Sequence, residues 1–267
     1  MKLFDLTDKT AIVTGAAGLI GKALCEALSE AGAIVAICDI NYDKAAQLSS
    51  EIANNSFPVE LDVTNYDSLE TAKDLIIKNT GRIDILVNNA AINDIFDTKT
   101  SVLEQSSFEN YPIELWNKSF DVNVTGTFLS CKVFGNEMAK RNYGSIINVA
   151  STYGIVGPDQ SIYKDENGNQ KFYKSPSYPA GKGAIVNFTR FLAAYWGNKG
   201  VRVNTLSPGG VFDGQDKFFV ENYSKKTMLG RMANPDDYKG PVVFLASDSS
   251  SYMTGANLVV DGGWTAW

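Results

Sequence analysis

Seven short runs rich in β-branched and other apolar residues, at 10–14, 34–40, 59–63, 85–88, 145–150, 202–206 and 257–260, recur along the chain, and longer amphipathic stretches separate them. Runs as continuous as Ile34-Val35-Ala36-Ile37 and Ile85-Leu86-Val87 suit strands buried on both faces. The stretches near 20–31, 43–53, 68–79, 113–140, 180–198 and 236–247 carry apolar residues three and four apart, and so supply the crossover helices that parallel strands require. This βαβ rhythm predicts an α/β fold: a single doubly wound domain over 1–267, with a seven-stranded parallel sheet and helices on both faces. Two polar stretches break the rhythm, 93–112 and 158–176. They read as long loops near the active face, where irregular length is more often functional than accidental.

Composition narrows what such a domain can do. Hydrophobic residues at 44% and charged residues at 20% leave no disordered or low-complexity tract to explain. A net charge of −6 offers no basic surface for phosphates, which argues against nucleic acid and anionic membrane as partners. Asp5 and Asp8 interrupt any apolar leader, and no later run reaches about 18 apolar residues, so a cytoplasmic protein is expected. Cys25, Cys38 and Cys131 are widely spaced inside strands or helices and read as buried free thiols. Histidine is absent. No metal site is expected, and acid/base work near neutral pH falls to Tyr, Lys or a carboxylate.

The candidate residues sit where strands end. Gly15, Gly18 and Gly21, with Leu19 and Ile20 between them, lie at the turn from the first strand into the first helix. Glycines there let the backbone approach a pyrophosphate at a helix N-terminus, or merely let the turn pack tightly. Asp39 ends the second strand, where a carboxylate can accept both ribose hydroxyls and repel a 2′-phosphate. With Ala16, Ala17, Ile40 and Asn41 offering no cation nearby, NAD is preferred over NADP. Asp62, followed by Val63, closes the third strand, as an adenine contact or as a plain strand-end residue. Asn89 and Ala90, after the fourth, either bind the cofactor ribose or tie neighbouring strands together. Tyr178 and Lys182 share one helical face four residues apart, preceded by Ser151 at a strand end. A neighbouring ammonium favours phenolate, which would make the tyrosine a usable base.

Taken together, the glycine turn, Asp39, Asn123 in DVNVTG, Ser151 and the Tyr178-Pro-Ala-Gly-Lys182 run resemble the short-chain dehydrogenase/reductase family over essentially the whole chain. The resemblance implies a Rossmann domain and a catalytic set of Asn123, Ser151, Tyr178 and Lys182. In that set Asn123 holds a relay water, Ser151 hydrogen-bonds the reacting oxygen, Tyr178 is the general acid/base, and Lys182 binds the nicotinamide ribose while lowering the tyrosine pKa. It also makes Pro208, Gly209 and Val211 the nicotinamide-side turn, and implies a homotetramer or homodimer. Two departures stand out. Position 19 is Leu where the family pattern has Gly, and Gly18 takes over. Ser151 and Tyr178 are 27 positions apart, about twice the usual interval, so 158–176 reads as an inserted substrate loop.

The loop is polar and aromatic, with Asp159, Tyr163, Lys164, Asp165, Lys171, Tyr173 and Lys174, which suits a hydroxyl-rich or phosphorylated small molecule. The chain looks most like bacterial oxidoreductases of flagellin-modifying sugar biosynthesis and gluconate-type dehydrogenases. The expected reaction interconverts a secondary alcohol and a ketone on a sugar or sugar derivative. A 3-oxoacyl or general ketone reductase is the alternative within enzymology, and a non-catalytic NAD-binding scaffold or sensor is the alternative outside it.

Overall fold

Along each central strand, successive side chains enter different cores. Ala11 and Val13 face one side of the sheet while Ile12 faces the other; Val35 and Ile37 alternate with Ala36 and Cys38, and Ile85 and Val87 with Leu86. Burial on both faces is why these strands read as unbroken apolar runs. The computed structural model describes residues 2–52, 55–94, 96 and 101–267. Its strands are β1 (Thr10–Thr14), β2 (Ile34–Asp39), β3 (Phe57–Glu60), β4 (Ile85–Asn88), β5 (Gly144–Val149), β6 (Val201–Pro208) and β7 (Asn257–Val260). They form one parallel sheet in the order β3-β2-β1-β4-β5-β6-β7.

The helices are α1 (Leu19–Glu30), α2 (Tyr42–Glu51), α3 (Tyr66–Thr80), α4 (Val102–Ser106), α5 (Ile113–Phe120), α6 (Gly126–Ser130), α7 (Asn136–Lys140), α8 (Ser177–Trp196), α9 (Lys217–Ser224) and α10 (Lys239–Ala246). Leu24 and Leu28 of α1, Leu48 of α2 and Val242 and Leu245 of α10 fill one face of the sheet. Leu69 and Ile76 of α3, Met138 of α7 and Leu192 and Trp196 of α8 fill the other. Among the described residues no helix is long and apolar enough to cross a membrane. All three cysteines are free and buried, and burial pushes the Cys131 thiol up to about 12.

Three expectations need correction. The third strand is Phe57–Glu60, not 59–63, so Asp62 and Val63 lie just beyond its end. Among the described residues it pairs with β2 alone, and on such an edge the missing N–H of Pro58 is tolerated. The expected helix over 113–140 is one helical run, but π turns at Asp121–Thr125 and Cys131–Gly135 interrupt it. The two polar stretches are not bare loops: the first carries α4, although residues 95 and 97–100 lie outside the described set. The second carries a 3₁₀ turn at Gln160–Tyr163 and an antiparallel bridge between Lys164 and Gln170.

Candidate active site

Because the strand order reverses between β1 and β4, the loops leaving their carboxyl ends diverge and open a groove, the usual ligand position in such sheets. The groove has two lobes, of about 480 and 340 Å³, which share Leu19, Ile20, Asn89, Ala91, Asn93 and Asp213. The expected substitution at 19 therefore stands at the waist of the groove, where Leu19 is 43% exposed.

The larger lobe is floored by the glycine turn. Gly15 sits at φ +60°, and a Cβ there would lie 2.7 Å from the Ala90 Cα, so the turn needs glycine for conformation and for packing. Gly21 is equally excluded from bearing a side chain, its Cβ falling 2.4 Å from the Gly15 carbonyl oxygen. Tight packing accounts for both. Gly18 differs: a Cβ would meet only the Gly15 oxygen at 3.3 Å, and Gly18 stands at the N-terminus of α1 with no side-chain cap. An uncapped helix start without a side chain fits an incoming phosphate.

At the far end of this lobe Asp39 is fixed by the backbone, Oδ2 accepting from the Ala17 N–H and Oδ1 from the Asn41 N–H, each at 3.0 Å. Asp62 and Val63 line the same lobe. Asp62 Oδ1 accepts from the Thr64 N–H at 2.9 Å and the Thr64 hydroxyl at 2.7 Å. Among the described residues the lobe is lined by three carboxylates, Asp39, Asp62 and Asp213, and by no lysine or arginine. Asn89 donates through Nδ2 to the carbonyls of Thr14 and Gly15 at 3.1 and 2.9 Å, which ties β4 to the glycine turn, and it also lines both lobes. Ala90 joins it, its N–H donating to the Thr14 hydroxyl at 3.1 Å.

The smaller lobe is lined by Ser151, Tyr178 and Lys182 together with Pro208, Gly209 and Val211. Tyr178 falls in the first turn of α8, where Pro179 lacks only an N–H that would have no helical partner. Lys182 is 4% exposed, so the pair is not a solvated helix face. Its ammonium donates to the Val149 carbonyl at 2.8 Å and lies 5.8 Å from the centre of the Tyr178 ring. Burial brings Lys182 down to about 8, with the charge of Lys174 adding to the effect. Burial also raises the Tyr178 phenol above its ordinary value, while a hydrogen bond with Ser151 draws it back.

Asn123 lies in the first π turn, 2% exposed. Oδ1 accepts from the Ile92 N–H at 2.8 Å, and Nδ2 donates to the Ile92 carbonyl and the Ser119 hydroxyl, each at 3.2 Å. Its side chain thus ties the helical run to the segment after β4.

Tyr163 of the expected substrate loop joins residues that no sequence pattern marks: with Tyr153, Tyr223, Met232 and Trp264 it forms a buried cluster against which Tyr178 packs. The Tyr153 and Tyr163 hydroxyls are 3.0 Å apart, and Trp264 stacks on Tyr223 with centroids 4.4 Å apart. These residues come from segments that have no shared spacing, so no local pattern could have found them. Lys174 was noted only as one polar residue of the loop, yet its ammonium lies 4.3 Å from the Tyr178 ring centre.

Comparison with known proteins identifies the family. The family model described as enoyl-(acyl carrier protein) reductase matches residues 15–265. An NAD-dependent glycerol dehydrogenase of Listeria innocua is 33% identical over 99% of this chain and 96% of its own. A D-threitol dehydrogenase of Mycolicibacterium smegmatis is 35% identical over 98% and 95%. The post-translational flagellin modification protein A of Campylobacter coli is 33% identical over 97% and 99%. Among solved structures, a gluconate 5-dehydrogenase from Burkholderia cenocepacia, in complex with NADP and tartrate, superposes with a TM-score of 0.85 at 29% identity, covering 99% of this chain and 98% of that one. The chain belongs to the short-chain dehydrogenase/reductase family and is an oxidoreductase acting on alcohols.

Proposed function

We propose that the protein interconverts a secondary alcohol and a ketone on a polyol, sugar or sugar derivative, with NAD as the redox partner. The convergence of Ser151, Tyr178 and Lys182 in one lobe of the groove, with Asp39 in the other, carries the reading. When bound, the nicotinamide supplies the hydride acceptor or donor. Tyr178 takes the hydroxyl proton or returns it. Ser151 holds the reacting oxygen beside the phenol and, through its bond to Tyr178, favours the phenolate. The Lys182 ammonium, fixed on Val149, adds a positive charge that favours the same state. Asn123 holds the relay water that links Lys182 to solvent, and its side chain, bonded to Ile92, fixes the helical run in place. Gly15, Gly18, Leu19, Ile20, Gly21, Asp62, Val63, Asn89, Ala90, Pro208, Gly209 and Val211 are the remaining residues assigned to hold the dinucleotide.

NAD is preferred because a 2′-phosphate brought to the Asp39 end would meet the carboxylates of Asp39 and Asp62 and no cation among the described lining residues. The polyol and sugar-acid names of the relatives support the substrate class. A homotetramer or homodimer is supported by a stacked, solvent-facing aromatic ladder on α8, in which Phe191 and Tyr195 are each 61% exposed.

The test is Tyr178→Phe, assayed by NADH absorbance on a panel of polyols, sugars and their ketones. Turnover falls by about a thousandfold or more while NADH titration remains nearly unchanged. Retained turnover would overturn the assignment of Tyr178, and a preference for NADP would overturn that of the cofactor.

A further inference from the structure

The smaller lobe contains a second ammonium that the proton chemistry does not use. Lys174 Nζ sits over the Tyr178 ring, 4.3 Å from its centre, and lines the same lobe as Lys182. Its placement is built rather than incidental. Gln160 grips the Lys174 main chain at two points, Oε1 accepting from its N–H at 2.8 Å and Nε2 donating to its carbonyl at 3.2 Å. Gln170 in turn holds Gln160 and Phe172 by their carbonyls, each at 2.8 Å. The Tyr173 N–H donates to the Ser106 hydroxyl of α4 at 2.9 Å. The segment is fastened on its other side by ion pairs from Asp159 to Lys226, at 2.7 Å, and from Lys171 to Asp216, at 3.2 Å.

Among the described residues neither lysine of the lobe is ion-paired. Lys174 donates to the neutral Asn93 amide oxygen at 3.0 Å, and Lys182 to the Val149 carbonyl. Asp94 is the carboxylate whose field reaches Lys174, and it already accepts from the Tyr111 hydroxyl at 2.7 Å. The Lys174 ammonium is held over the Tyr178 ring on a neutral amide, feels the Asp94 field without pairing directly with it, and repels Lys182, so a ligand anion bound to it relieves a standing cost. The reading of this lobe as the alcohol site then fixes what the anion belongs to. A group on Lys174 and a carbinol on Tyr178 must be a few bonds apart on one small molecule. We infer that Lys174 is a specificity-determining residue that receives the carboxylate of the substrate, and that the preferred substrates are sugar acids rather than neutral polyols. With Lys182 engaged on the Val149 carbonyl, the one ammonium of Lys174 beside a neutral amide matches the single charge of a carboxylate better than the two charges of a phosphate.

The proposal rests on the alcohol-oxidoreductase reading, and paired substrates separate the two. Wild type, Lys174→Met and Lys174→Arg are assayed with D-gluconate against D-glucitol, D-threonate against D-threitol, and D-erythritol 4-phosphate. In wild type the acid of each pair is expected to have the higher kcat/KM. Lys174→Met should lose about thirtyfold more on the acids than on the matched neutral polyols, mainly in KM, and Lys174→Arg should restore most of that difference. Equal losses on acid and polyol, or preference for the phosphate ester, would overturn the carboxylate assignment while leaving the oxidoreductase reading in place. If neither member of a pair turns over, gluconate binding by calorimetry to the NADH-loaded protein decides. Binding to wild type that Lys174→Met abolishes supports the subsite, and binding that is absent or unchanged refutes it.

Discussion

At the cofactor end of the groove the walls are main chain and strand ends: the glycine turn, Asp39 held by two backbone N–H groups, and Asn89 bonded to the Thr14 and Gly15 carbonyls. At the substrate end they are side chains brought from separate places. Tyr163 and Lys174 come from the 158–176 segment, Phe219 and Tyr223 from α9, and Trp264, from beyond β7, backs them. The first end is set by local sequence at the sheet's switch point and can hardly vary without damage to the fold. The second depends on tertiary packing of segments that the sheet does not need. A shared cofactor and a variable substrate follow from that division of labour.

The division can be broken by substitutions that should affect one end only. Trp264→Ala removes a ring that stacks on Tyr223 and meets Tyr153 edge-on at 6.4 Å. It should cost about 3–5 kcal/mol of stability and raise the substrate KM by roughly tenfold or more, with NADH affinity little changed. An equal loss of NADH affinity in titration would show that the two ends are coupled. Gly15→Ala is the converse. A left-handed backbone costs about 1–2 kcal/mol for a residue with a Cβ, and the clash with Ala90 adds to it. Melting should fall by about 5 °C, with NADH binding weakened and the relative preference among substrates unchanged.

Asp39→Ser sharpens the contrast. Removing the carboxylate should move the NAD:NADP ratio of kcat/KM toward NADP by about tenfold, with substrate choice unaffected, as steady-state kinetics with both cofactors would show. The smallest effect concerns pH. Burial lowers Lys174 to about 8. Below that pH the folded protein carries its charge at a cost. Between about 8 and the ordinary lysine value the unfolded chain binds the extra proton, so this contribution to stability improves as pH rises. The stability advantage of Lys174→Met over wild type should therefore be fully present at pH 7 and shrink toward pH 10 in urea titrations. A constant difference would mean that the ammonium is already compensated.

The same division explains what could be read from residues alone. Strand runs such as Ile85-Leu86-Val87 and the Tyr178–Lys182 spacing are local patterns, and both led to the right places. β3 was misplaced because its edge position, which excuses Pro58, is a property of the sheet and not of the run. The sequence shows no sign of α9 although Asp216 caps it, Oδ1 accepting from the Phe219 N–H at 3.0 Å, because the ring partners of Phe219 and Tyr223 are Tyr163 and Trp264 from distant segments. Lys174 lies four positions before Tyr178, as Lys182 lies four after. Only Lys182 is on the helix, however, and the position of Lys174 depends on Gln160.

That Gln160 clamp has an evolutionary consequence. Lys174 is joined to the helix bearing Tyr178 through two residues, 175 and 176, and is held to its segment by the Gln160 side-chain bonds, which no strand or crossover shares. Substitution at Lys174 or at its Gln160 clamp can therefore change the charge presented to a ligand while the strand ends and α8 keep their places. Within one inherited scaffold, new substrates become accessible by editing a detachable cassette, and descendants can diverge in diet while their chemistry stays fixed.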